Sequence, residues 1–176
     1  MWRGTADEHG AAFVTALLGR LGVRDGRIAE GIALLEEAHA SFGALGVEAD
    51  AALVEALLAE AAVWAGRPEA AHAQATDLWR RIPHDSPLEP LLHHVAGVAL
   101  AQLNDVGAAT DALEASVTAA RGADLPFELA LALDALERLS ARGGRTSPRR
   151  RRERDELLAR MDIVRLPAPP VAILVR

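Results

Sequence analysis

Cysteine, lysine and tyrosine are absent from this 176-residue chain, and phenylalanine and tryptophan number only three each. Without cysteine there is no disulfide framework, no thiol nucleophile and no thiolate metal site. Without lysine the Gly-x-x-x-x-Gly-Lys phosphate loop is excluded. All 19 basic residues are arginine, and a formal net charge of −6 argues against a general polyanion binder. No apolar run reaches the ~18 residues of a membrane span. The start, Met1-Trp2-Arg3-Gly4 followed by Asp7-Glu8, lacks the charged-then-apolar order of an export signal. The expectation is a cytoplasmic protein with no membrane partner.

What remains is alanine and leucine, which supply most of the 51% apolar content. Both lose little on entering a helix, while the β-branched and aromatic residues that suit strands are scarce. A helical phrase recurs about every forty residues: Leu21-Gly22-Val23-Arg24-Asp25-Gly26-Arg27, Val63-Trp64-Ala65-Gly66-Arg67-Pro68-Glu69 and Leu103-Asn104-Asp105-Val106. Ser86-Pro87-Leu88-Glu89 reads as a capping box with proline in the first turn. Asp50, Asp105 and Asp124 read as N-terminal acceptors, Pro68 and Pro126 as first-turn residues, and Gly22, Gly43, Gly46 and Gly122 as helix ends. These signals predict helices over 7–22, 27–44, 50–65, 67–82, 87–103, 106–121, 125–141 and 148–161, and no strand pairing.

Small residues sharpen the repeat, because two helices approach closely only where side chains are short. Gly19, Gly31 and Ala38 form one set of close-approach positions, Ala59, Ala71 and Leu78 the next, and Gly97, Ala109 and Ser116 the third. The middle members stand 40 and 38 residues apart, longer than the roughly 34 of the plain tetratricopeptide repeat. The fold expected is all-α, a right-handed tetratricopeptide-like α-solenoid of about four helical hairpins at 7–44, 50–82, 87–121 and 125–161. These make one domain, 1–165, whose charged final helix, anchored by Leu157 and Leu158, reads as a terminal cap. Residues 166–176 form a Pro-rich extended tail ending in Val171-Ala172-Ile173-Leu174-Val175.

The closing phrase Glu156-Leu157-Leu158-Ala159-Arg160-Met161-Asp162-Ile163-Val164-Arg165-Leu166-Pro167 follows these repeats. It resembles the C-terminal helical-repeat region of actinobacterial multidomain proteins that join a class III adenylate/guanylate cyclase domain, an ATPase module and tetratricopeptide-like repeats. Similar repeats occur in large LuxR-type regulators. This chain has no cyclase, ATPase or helix-turn-helix domain, so the resemblance implies a detached or truncated repeat region in a signalling or transcriptional setting.

No constellation in the sequence carries chemistry, and no enzyme, cofactor or metal is expected. Of the six histidines, the adjacent His93 and His94 point about 100° apart on a helix and cannot chelate one ion together. One packed and one surface histidine is the expectation. No serine sits in a nucleophile elbow. Trp64 and Trp79 read as packing residues near the second hairpin, and Trp2 as a plug at the start of the stack. The expected activity is therefore binding of a protein or peptide in a concave groove lined by the first helix of each hairpin. Glu55, His93 and His94 are the candidate contact residues, because they interrupt helices that are otherwise Ala- and Leu-rich. The alternative is an accessory module for nucleic acid or another anion, built on Arg149, Arg150, Arg151 and Arg152. Those four lie in a helix first turn, where the helix dipole disfavours cations, and the plainer reading is a solvated cap balanced by Glu153, Asp155 and Glu156.

Overall fold

Alanine- and leucine-rich stretches, punctuated by glycine, proline and aspartate, fold as helix throughout. The structure, a computed structural model, describes residues 2–83, 85–142 and 144–169, with side chains from residue 7 onward. Among them are eight helices and no strand: α1 (Trp2–Arg24), α2 (Ile28–Leu45), α3 (Glu48–Trp64), α4 (Pro68–Arg81), α5 (Glu89–Gln102), α6 (Val106–Gly122), α7 (Pro126–Arg142) and α8 (Pro148–Arg160). These match the expected spans within two residues, except that α1 begins five residues before Asp7. Among the described residues no helix is long and apolar enough to cross a membrane. The Trp2 side chain and the tail segment Val171–Val175 lie outside the described residues.

Seven helices end by one device. A residue with positive φ follows the helix, and the next N–H reaches back to a carbonyl five residues earlier, which satisfies an otherwise orphaned acceptor. After α1, α3, α5 and α7 the left-handed residues are Gly26, Gly66, Asn104 and Gly144. The matching bonds are Arg27 N–H to Gly22 O (2.9 Å), Arg67 to Ala62 (2.9 Å), Asp105 to Leu100 (3.0 Å) and Arg145 to Ser140 (3.0 Å). Gly46, Asp124 and Asp162 serve α2, α6 and α8 in the same way. Asp124 is thus a left-handed turn residue rather than a helix N-cap. Asp50 is no cap either; it lies in the first turn of α3 and pairs with His9 (2.8 Å). Asp105 does cap α6, accepting from Ala108 N–H. Gly22 and Gly43 lie in the last turns of α1 and α2, where their carbonyls accept from Arg27 and Gly46 N–H.

The exception is α4. Pro83 clashes with a helical residue before it, so Ile82 turns extended (φ −85°, ψ 157°) and the chain leaves α4 without the left-handed turn. It re-enters helix only after Ser86, whose hydroxyl accepts from Leu88 N–H (3.3 Å) and whose carbonyl accepts from Glu89 N–H (3.1 Å). Half of the expected capping box is present; the Ser86 N–H bonds Pro83 O instead.

Each helix packs on the next, and α1, α3 and α5 also pack on the next odd-numbered helix, whereas the backbones of successive even-numbered helices stay apart, α6 and α8 meeting through the side-chain pairs of Arg121 with Glu153 and Arg150 with Glu114. The odd helices therefore form an inner layer and the even helices an outer one. Close approach falls where small residues stand. A Cβ on Gly31 would lie 2.6 Å from Gly19 O and 2.7 Å from Val23 N, and one on Gly97 would lie 2.6 Å from Leu113 Cγ. Ala38, Ala59, Ala71 and Ala109 are fully buried. Ser116, also fully buried, satisfies its hydroxyl on Pro90 O (2.7 Å). The core runs continuously from Ala12 in α1 to Leu157 in α8.

Candidate interaction surface

The inner layer carries an unusual concentration of charge. Arg20 in α1 donates from Nε to Glu60 Oε2 in α3 (2.9 Å) and from Nη2 to Glu128 Oε1 in α7 (3.2 Å). Arg24 also binds Glu60, through Nη2. Both guanidinium groups stand over the Phe127 ring, 5.8 and 5.2 Å from its centroid, a cation–π arrangement. The backbones of α1 and α7 do not touch, so the long arginine stems span the gap between them. Their polarity suits the helix ends: arginines sit near the C-terminus of α1, and Glu128 sits in the first turn of α7.

Burial would raise the Glu60 carboxyl, but Arg20 and Arg24 outweigh it and hold the group at about 2. Burial likewise opposes the charge on Arg20, and Glu60 and Glu128 raise its pKa well above the ordinary value. His94 faces the same cluster. Burial lowers its pKa to about 4, Glu60 acts against that fall, and Arg24, Arg138 and Arg20 add to it. Its Nδ1 makes no hydrogen bond among the described residues. Where the odd helices converge, the space expected as an open groove is therefore occupied by the chain's own side chains.

The sequence-derived candidates separate accordingly. His94 is buried in the inner layer. His93, the half-exposed neighbour, sits 3.6 Å from Glu89 and stacks at 4.9 Å on Trp79. Trp64 is buried in the core. Glu55 is partly exposed and bound by Arg81 of α4 and His39 of α2. It lines a cleft of about 760 Å³ bounded by the start of α3, the end of α4 and the 82–88 connection. The extended exit forced by Pro83 is what opens it. Among the described residues its walls combine half-buried Leu53, Ile82 and Leu88 with Glu48, Asp50, Glu55 and Asp85, against Arg81. The candidate pair Glu55 and His93 is thus split between two places, and the sequence offered no sign of the cleft beyond the proline.

The arginine run lies at the far end. Ser147 caps α8, accepting from Arg150 N–H. Arg150 pairs with Glu114 (3.1 Å), while Arg149, Arg151 and Arg152 are exposed and make no ion pair among the described residues. Arg151 and Arg152 share a shallow cleft of about 540 Å³ with Asp155 and Glu156, which offsets their positive field. No three His, Asp or Glu side chains converge as metal ligands among the described residues. Compared with known proteins, the chain matches no protein-family model and no curated protein.

Proposed function

We propose that this chain is a non-catalytic protein-interaction module, a right-handed tetratricopeptide-like solenoid of four hairpins in the signalling or transcriptional setting that the resemblance implies. Three features support the architecture: the repeated left-handed turns, the small residues at close approach and the backbone packing restricted to neighbouring and next-but-one helices. The observation that carries the function is the acidic, apolar-floored cleft beside Glu55. Its partner is a peptide with an apolar anchor flanked by basic residues, because leucines and an isoleucine offer the anchor a dry seat and four carboxylates set the sign of the rim. Nucleic acid and other anions are disfavoured there by the same carboxylates.

The test is calorimetric titration of short peptides carrying a central leucine flanked by arginine or by glutamate. The basic peptides should bind, and a Glu48→Lys, Asp85→Lys double variant, which leaves the core untouched, should weaken them at least about tenfold. Equal binding of both peptide types, or no effect of the double variant, overturns the cleft. Binding lost instead on neutralising Arg149 to Arg152 moves the function to α8.

A further inference from the structure

The left-handed turns put the four odd helices in a common register: Gly26, Gly66, Asn104 and Gly144 are equivalent. Counting back from each, Leu53, Val54, Leu57, Leu58 and Ala61 of α3 match Leu91, Leu92, Val95, Ala96 and Ala99 of α5, and Leu131, Ala132, Ala135, Leu136 and Leu139 of α7. In these three helices the stripe is buried or half-buried, and each packs against the even helix that precedes it. The same register in α1 gives Phe13, Val14, Leu17, Leu18 and Leu21. These are 38%, 54%, 44%, 53% and 61% exposed.

Helix α1 thus carries the interior stripe of this fold with nothing on it among the described residues. Together the five side chains leave on the order of 400 Å² of apolar surface. We infer that this face is an isologous interface at which two copies of the chain pair, α1 against α1, antiparallel.

Three observations select a second copy bound this way. Head-to-tail stacking would seat α1 on the outer face of α8, but there Arg149, Arg151, Arg152, Asp155, Glu156 and Arg160 are exposed and only Leu157 is buried. Continuation from α1 onto α8 would therefore strip charges of water, whereas α1 on α1 buries apolar surface on both sides. Next, the stripe is self-complementary: a two-fold axis near Leu17 and Leu18 sets Val14 of one copy beside Leu21 of the other. Finally, the antiparallel arrangement opposes the two helix dipoles, which a parallel pairing would align. With its rim, such a pair reaches roughly the 1,000 Å² at which specific interfaces begin.

Sedimentation equilibrium of the full chain, from low to high micromolar, tests the pairing. A monomer–dimer equilibrium is expected, with a Leu17→Glu, Leu18→Glu variant monomeric throughout and unchanged in helicity. The absence of native cysteine allows a second readout. A Leu17→Cys variant should form an intermolecular disulfide under mild oxidation, because a residue at the two-fold axis meets its own copy. Val164→Cys, more accessible than Leu17 at 98% exposure, should not cross-link beyond the rate of random collision. A chain monomeric at all concentrations overturns the proposal, whether the face is then covered by residues 170–176, taken by a helix of another protein or left bare. A dimer indifferent to the glutamate pair overturns it equally.

Discussion

The two ends of the array are held in opposite ways. At the start, α1 is locked inward by glycine contacts at Gly19 and Gly31 and by Arg20 and Arg24, whose partner Glu60 is buried, yet its outer face is apolar and bare. At the other end, α8 turns one buried side chain inward, Leu157, and presents charge outward. Of its ties to the rest, Arg121 to Glu153 (2.7 Å) and Arg150 to Glu114 (3.1 Å) are exposed pairs, and Arg154 to Asp134 (2.9 Å) is part-buried. Exposed pairs contribute little and weaken with salt. An apolar outer face is suited to further packing, and a charged one to water.

Removing the anchor of the first end should have the largest effect. Glu60→Ala leaves two inward-facing guanidinium groups without their shared partner and should cost about 3–5 kcal/mol in urea unfolding. Hydrogen exchange should rise in α1 before α8; the reverse order would show that the ion cluster is not what fixes this end.

Acid attacks the same region from two sides. His94 takes a proton at about 4 when folded but near 6.5 when unfolded. Stability therefore falls as pH drops from about 6.5 toward 4, by at most on the order of 3 kcal/mol. Glu60 is ionised in the folded state down to about 2 against an ordinary 4.5, so its contribution is full above 4.5 and disappears as pH falls through 2. A His94→Gln variant should flatten the first window and keep the second. An unchanged slope between pH 6.5 and 4 would remove His94 from the account.

A smaller loss is expected at the other end. Leu157→Ala should cost about 2 kcal/mol and raise exchange in α8 alone. Adding salt should deepen that fraying while leaving α1 protected, because the pairs beside α8 are screened and the Glu60 cluster is not.

Helix positions were legible because their causes are local. Pro68, Pro126, Gly46 and Asp105 act within one turn of themselves, and the small residues repeat at a spacing that can be counted along the chain. The Arg20, Glu60 and Glu128 cluster was not legible, because its members lie 40 and 108 residues apart and each reads alone as a solvated charge. One signal was available: Arg20, Glu60 and Arg138 occupy equivalent places in their repeats, so a charge recurs on the inner layer where a solvated face has no reason to repeat. The sequence placed Glu55 on the groove through its interruption of an apolar helix, and its cleft depends on the extended exit at Ile82. The outward stripe of α1 looked like every other apolar stripe, since spacing along the chain does not say which stripe is left exposed.

The reach of Arg20 to Glu128 also bears on how the chain folds. Contacts confined to neighbouring helices make stability a sum along a line, so that hairpins form and fray one at a time. A bond across 108 residues joins the first hairpin to the last, closing that line into a loop. Its closure is late and entropically costly, and once made it ties the opening of either end to the opening of the whole.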